Sequence, residues 1–151
     1  MAEWRDWHVS IDLAVHVAEA KYLDHLPLER QARAMERRGL LVDSQTLWDQ
    51  IDALARHLQP TYEALLKHVL GAEVVYADET FWRNHDGGET CRWWSWCVAN
   101  DEMATYRILP SRSANAAEQA LGGYKGVAMT DGYGAYQALE RAGPGMKLAH
   151  C

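Results

Sequence analysis

Two aspartates stand where the chain leaves short apolar runs. Val74 to Trp82, VVYADETFW, is a nearly unbroken apolar stretch with Asp78 and Glu79 set into it. Val74, Val75, Tyr76 and Ala77 suit a strand covered on both faces. A carboxylate buried in such a strand is costly unless it is paired, hydrogen-bonded or bound to a metal. Val127 to Gly132, VAMTDG, repeats the layout: a short apolar strand, then Asp131, then Gly132. Taken singly, each Asp reads as a strand terminator, with Asp131-Gly132 as a turn. On neighbouring strands the two carboxylates converge, and together they read as a site. Converging carboxylates repel each other unless a cation lies between them. Hard oxygen ligands suit Mg2+ or Mn2+, which need few protein ligands. Two such ions about 4 Å apart serve phosphoryl transfer by activating an attacking oxygen and stabilising a leaving one. One acid and one base, hydrolysing some other bond, is the competing chemistry. Glu79 follows Asp78 on a strand, so it points to the opposite face and reads as structural support.

The elements that must place these acids follow from period and punctuation. Residues 10 to 70 read as helical. Ile11, Leu13, Ala14, Val15, Val17 and Ala18 form a dense apolar segment without Gly or Pro. Pro27 suits a helix start, and the helix from Leu28 to about Arg38 stops at Gly39. Asp43 or Ser44 can cap a third helix carrying Leu47, Trp48, Ile51, Leu54 and Leu58. Pro60 is expected to break or kink it, leaving Tyr62 to Leu70 as a further helix. This region has helix-turn-helix character. Arg30, Arg33 and Arg37 share a helical face, with Arg38 nearby, and are the candidate DNA-binding residues. The plainer reading is a solvated face offset by Glu29 and Glu36.

From Glu73 the period shortens. Strands are expected over Val74–Trp82, Cys91–Ala99 and Ala104–Leu109, with a hairpin turn at Asn84-His85-Asp86-Gly87-Gly88. Asn115 and Glu118 have the spacing of a capping box for a helix ending at Leu121. Strand four is Gly126 to Asp131, a second helix is Tyr133 to Ala142, and strand five starts at Met146. The order is β-β-β-α-β-α-β, with strand four parallel to strand one. The fold class is thus α+β or α/β, a helical region over 1–70 followed by a sheet domain over 71–151.

The chain has 151 residues and a net charge of −6. That charge disfavours strong nonspecific DNA binding but leaves room for a local basic patch. No apolar stretch approaches the roughly 18 residues of a membrane span. MAEWRDWHVS at the start lacks the basic and apolar regions of a signal peptide. Cys91, Cys97 and Cys151 form neither a disulfide framework nor a paired CxxC zinc spacing, which points to a reducing, cytosolic setting. The last residues, Leu148 to Cys151, read as the inside of a strand, which suggests a reading frame cut short.

The pieces KYLDHLPLERQ (Lys21 to Gln31), YADET (Tyr76 to Thr80), TDGYGAY (Thr130 to Tyr136) and LAHC (Leu148 to Cys151), in this order, resemble the IS66 family of bacterial transposases. The resemblance runs from about residue 10 to the end. It implies an RNase H-like core with a DDE triad and divalent metal ions, incomplete here and truncated in or after strand five. On that pattern Asp78 and Asp131 match the first two acids, as catalytic residues and ligands of Mg2+ or Mn2+. The third, a Glu on a helix beyond strand five, has no position in the chain. Glu73, Glu79 and Glu140 are the local substitutes, and none is well placed. The resemblance further implies DNA cleavage and strand transfer at mobile-element ends, in the bacterial cytoplasm at the nucleoid, with a second copy or full-length transposase as a further partner. A fragment of this kind is not expected to transpose by itself. A non-catalytic remnant or regulator that binds DNA or full-length transposase is the competing reading. A different RNase H-fold nuclease that draws its last acid from elsewhere is a third.

Overall fold

The computed structural model describes residues 10–86, 89–143 and 145–150. The expected absence of a signal peptide at the start, the Gly87-Gly88 part of the hairpin turn, Pro144 and Cys151 lie outside the described residues. The chain divides into two compact units, Met1–Pro60 and Thr61–Cys151. Among the described residues no helix is long and apolar enough to cross a membrane.

The first unit is helical. α1 spans Ile11–Tyr22 and starts where the Ser10 hydroxyl accepts the Leu13 amide at 3.3 Å. α2 spans Leu28–Glu36 with Pro27 as its N-cap, as the ring's fixed φ and missing N–H favour. α3 spans Ser44–Val69, and Asp43 rather than Ser44 caps it, accepting the Thr46 amide at 2.7 Å. That bond holds the Asp43 carboxyl below its usual range. Val17, Leu28, Leu47 and Ile51 form the unit's core. Gln31 ties α2 to the neighbouring segment, its amide nitrogen donating to the carbonyls of Val17 at 3.3 Å and Leu26 at 3.0 Å.

Pro60 does not end α3, contrary to the expectation of a separate helix from Tyr62; it lies inside one continuous helix, at the division between the units. A proline removes one N–H and crowds the preceding turn, a local cost. Leu47 and Ile51 are anchored in one core and Val69 in the other. Each half of the helix therefore has its own packing to hold it.

The second unit is a five-stranded sheet of order β3-β2-β1-β4-β5. β1 is Val74–Asp86, β2 Glu89–Ala99, β3 Ala104–Leu109, β4 Val127–Thr130 and β5 Lys147–His150. The first three pair antiparallel, while β4 runs parallel to β1 and β5 parallel to β4. α4, Ala114–Leu121, and α5, Gly134–Ala142, lie between the later strands in the chain. α4 is capped by Ser113, which accepts the Ala116 amide, not by Asn115. Its buried alanines, Ala116, Ala117 and Ala120, join Val75, Ala77, Trp96, Val98, Leu109, Ala128 and Tyr136 in one core.

The expectation that β1 is covered on both faces is corrected. Burial alternates along it: Val75, Ala77 and Glu79 are buried, while Val74, Tyr76, Asp78 and Thr80 are exposed. In an apolar run the aromatic Tyr76 tolerates the open face, so composition concealed a period of two. β1 also continues four residues past Trp82, because β2 pairs with it as far as Asp86.

Candidate active site

Asp78 and Asp131 are brought together by the parallel register of β1 and β4. Val74 pairs with Val127, Val75 with Ala128 and Tyr76 with Met129. Two residues beyond the last pair on each side come Asp78 and Asp131. Tyr76, Asp78, Cys97, Ala99, Met129 and Asp131 line one cleft of about 350 Å3. Cys97 and Ala99 come from β2, where Cys97 is the partner of Asp78.

Both carboxylates are partly engaged. Asp78 Oδ1 accepts the Glu79 amide at 2.9 Å, and Asp131 Oδ1 accepts the Tyr133 amide at 2.9 Å. The second bond is an Asx turn that carries the chain from β4 into α5. Gly132 makes that turn with φ of +79°, and a Cβ there would lie 3.2 Å from Nδ1 of His150. A side chain at 132 would be strained by its backbone angle and crowded by the histidine.

The buried acid is Glu79, whose side chain has no exposure. Its compensation was not legible in the sequence, because the partners lie far along the chain. Arg112 donates from Nε and Nη2 to Oε1 at 2.5 Å each. Tyr136 donates its hydroxyl to Oε2. Arg112 also lies 3.7 Å from Asp131 Oδ2 and is stacked on Tyr133, 3.7 Å from the ring centre, with Trp94 at 5.0 Å. Its loop is pinned on both sides: Trp96 Nε1 donates to the Ser111 carbonyl at 3.2 Å, and Ser113 caps α4. Burial works against the guanidinium's charge, but the Glu79 carboxylate outweighs it and holds Arg112 more firmly protonated.

Tyr136 is fully buried, edge-on to Trp96 at 5.9 Å. Burial first, and then Glu79, raise its phenol well above the ordinary value of 10.0. The raised group stays protonated in the fold while the unfolded chain ionises it. Stability is therefore complete below pH 10 and declines as pH rises through and beyond 10. Urea midpoints measured across that range should fall for the wild type, and fall less for Tyr136→Phe. Equal declines would remove Tyr136 as the cause.

The other expected residues are placed as follows. Arg30, Arg33, Arg37 and Arg38 are exposed in the first unit, with exposed Glu29 and Glu36 among them. Glu73 is exposed just ahead of β1. Glu140, on α5, accepts the Leu148 amide at 3.0 Å and so holds β5. With Glu79 committed to Arg112, none of the three glutamates joins Asp78 and Asp131. Among the described residues no group of three His, Cys, Asp or Glu side chains is arranged to hold a metal ion.

The donor chemistry nonetheless fits a hard cation loosely held. Two carboxylates share an open cleft, and the Asp131 side chain is 52% exposed. Mg2+ keeps several waters and takes one or two carboxylates, so such a pair meets its protein share.

Comparison with known proteins gives the chain a family. The family model described as "Transposase IS66 family" matches residues 8–151. "Uncharacterized protein y4jD" of Sinorhizobium fredii (strain NBRC 101917 / NGR234) is 34% identical over 140 residues, covering 85% of this chain and 27% of that protein. "Uncharacterized protein y4qI" of the same strain is 32% identical over 141 residues, covering 86% of this chain and 26% of its own length. The chain thus spans about a quarter of the length of these curated relatives. With the family model matched over nearly its whole length, the chain belongs to the IS66 family of transposases.

Proposed function

We propose that this chain carries part of the catalytic apparatus of DDE-type DNA transposition. In this reading residues 71–151 are an incomplete RNase H-like core, and the helical residues 1–70 are a DNA-binding region of helix-turn-helix character. The observation that carries the reading is the parallel pairing of β1 with β4, beyond which Asp78 and Asp131 line one cleft. The strand order β3-β2-β1-β4-β5, with only β2 antiparallel to its neighbours, supports it.

Asp78 and Asp131 are the residues that would hold Mg2+ or Mn2+. When bound, the ion supplies charge neutralisation and activation of an oxygen nucleophile at a DNA phosphodiester. The protein's own part is positional. The Asx turn at Asp131 and the amide bond at Asp78 fix each carboxylate, and Arg112 neutralises Asp131 from one side. Strand cleavage and transfer belong to the longer protein, which supplies the third acid from outside these residues. Mobile-element DNA is the partner, and Arg30, Arg33, Arg37 and Arg38 are its contacts in the helical region.

The test is Mn2+ binding followed by electron paramagnetic resonance. The wild-type chain should bind weakly, and Asp78→Asn or Asp131→Asn should each weaken binding by about tenfold or more, since each removes half of the charged donors. Binding that is unchanged in both variants would refute the site. If wild type takes no Mn2+ but shifts DNA on a gel, the non-catalytic reading replaces this one.

A further inference from the structure

Beyond its neighbours, the β1–β2 hairpin continues as a ribbon. β4 pairs with β1 only at Val74–Tyr76, and β3 pairs with β2 only at Trp94–Ala99. The residues past Phe81 on β1 and before Trp94 on β2 pair only with each other. In that ribbon Arg83 stands directly opposite Arg92. Like charges at opposed positions of an antiparallel pair repel. Both arginines are exposed, and among the described residues neither has an acidic partner. Both guanidinium groups lie 5.9 Å from the ring centre of Phe81. Phe81 is edge-on to Trp94 at 5.9 Å, and Trp94 in turn carries Arg112 at 5.0 Å. A strip of alternating arginine and aromatic side chains therefore leads from the ribbon to Arg112, which lies beside Asp131.

We propose that this face of the ribbon is a DNA-backbone contact: Arg83 and Arg92 take phosphate oxygens of a duplex that runs along the strip to Arg112 and Asp131. The proposal rests on the function proposed above and names the surface that orients its substrate. Charge is the argument for a polyanion. The chain as a whole carries −6, yet here two cations face each other with no acidic partner among the described residues, and an anion between them removes the repulsion. Guanidinium forks match phosphate oxygens two at a time. A two-stranded ribbon is also an element that a DNA major groove admits. Phe81 holds both guanidiniums over its ring, which limits their freedom before the phosphate arrives.

The experiment is fluorescence anisotropy of a labelled random-sequence duplex, titrated with the 151-residue chain in EDTA at several salt concentrations. Arg83→Gln/Arg92→Gln should weaken binding and reduce the slope of log affinity against log salt by about 2, near 0.9 for each phosphate released. Arg92→Glu gives a second, opposed readout. It should raise the melting temperature by pairing with Arg83, while abolishing the ribbon's share of DNA binding. A purely structural role for Arg92 predicts a lower melting temperature, and that result would overturn the proposal. So would a wild-type chain that binds no duplex at low salt, or a double variant with unchanged affinity and slope, which would assign the face to a protein partner. Inorganic phosphate at matched ionic strength should compete no better than chloride, and strong competition would mean a free-anion pocket instead. Because the assay contains no metal, it reads the ribbon without reading the Mn2+ site. Failure of the Mn2+ site therefore leaves this result intact, and failure of the ribbon leaves the Mn2+ result intact.

Discussion

Arg112→Ala should cost the second unit about 3 kcal/mol and melt it roughly 10–25 °C lower. The reason lies in Glu79. Its carboxylate is completely enclosed and is met by two guanidinium nitrogens at 2.5 Å and the Tyr136 hydroxyl. Removing the arginine leaves an enclosed carboxylate with one hydroxyl donor. Breaking a buried ion pair from one side typically costs about 3–5 kcal/mol, because a charge remains without its counterpart. Arg112 is itself 31% exposed, so water reaches the vacated space and the lower end applies. Glu79→Leu/Arg112→Leu should recover much of the loss, since replacing both partners removes the desolvation penalty together with the attraction. Urea unfolding followed by tryptophan fluorescence measures this directly, with Trp94 and Trp96 close to the site of change. A single-variant cost below about 1 kcal/mol, the value of an exposed pair, would show that the enclosure is not maintained in solution.

Gly126→Ala should be nearly as damaging and should also weaken Mn2+ binding. Gly126 opens β4 at the point where three strands are tied together. Val127 donates to the Glu73 carbonyl at 2.9 Å, and Lys147 donates to the Gly126 carbonyl at 2.9 Å. The Tyr124 hydroxyl sits within 2.9–3.2 Å of the carbonyls of Ala72, Glu73 and Val127. A Cβ at position 126 would lie 2.5 Å from the Glu73 carbonyl oxygen and closer still to that hydroxyl. One obstacle is backbone and the other is a phenol held in place, so neither yields cheaply. Overpacking of this kind costs about 1–3 kcal/mol and occasionally more, and the upper end is expected here. Relief would push β4 away from β1 and with it Asp131 away from Asp78. Tyr124→Phe is the control: it vacates the hydroxyl's place at a cost of about 1 kcal/mol and should leave Mn2+ affinity near wild type. If Gly126→Ala loses stability but keeps full Mn2+ affinity, the carboxylates do not depend on this junction.

The order of strands and helices was legible in the sequence because each element rests on local pattern. Val127 to Thr130 is short, apolar and closed by Asp-Gly; Pro27 and Gly39 bracket α2. Pairing β1 with β4 followed from the order of elements, and beyond that pairing Asp78 and Asp131 line one cleft. What local pattern could not carry was burial. Tyr76 and Val74 look like core residues and face outward, while Glu79 looks like a surface residue and is enclosed. Its enclosure depends on Arg112 and Tyr136, 33 and 57 positions away. No spacing rule links them, and Arg112 in PSRSAN reads as an ordinary loop cation. Pro60 shows the same limit from the other side: its local penalty is real, yet packing on either side keeps one helix intact. The Arg83–Arg92 opposition was likewise invisible until the hairpin register fixed which residues face each other.

The alternation along β1 also governs how this chain can change in length. A residue inserted or deleted between Val74 and Asp78 would exchange the two faces beyond it, sending Asp78 into the alanine-packed core and Glu79 away from Arg112. Both the cleft and the enclosed ion pair would be lost in one step. At the far end of the same strand the hairpin pairs only with itself, so residues added in matched pairs across its turn shift no core side chain. Length variation among related chains should therefore be absent from the first five residues of β1 and tolerated at the tip of the ribbon.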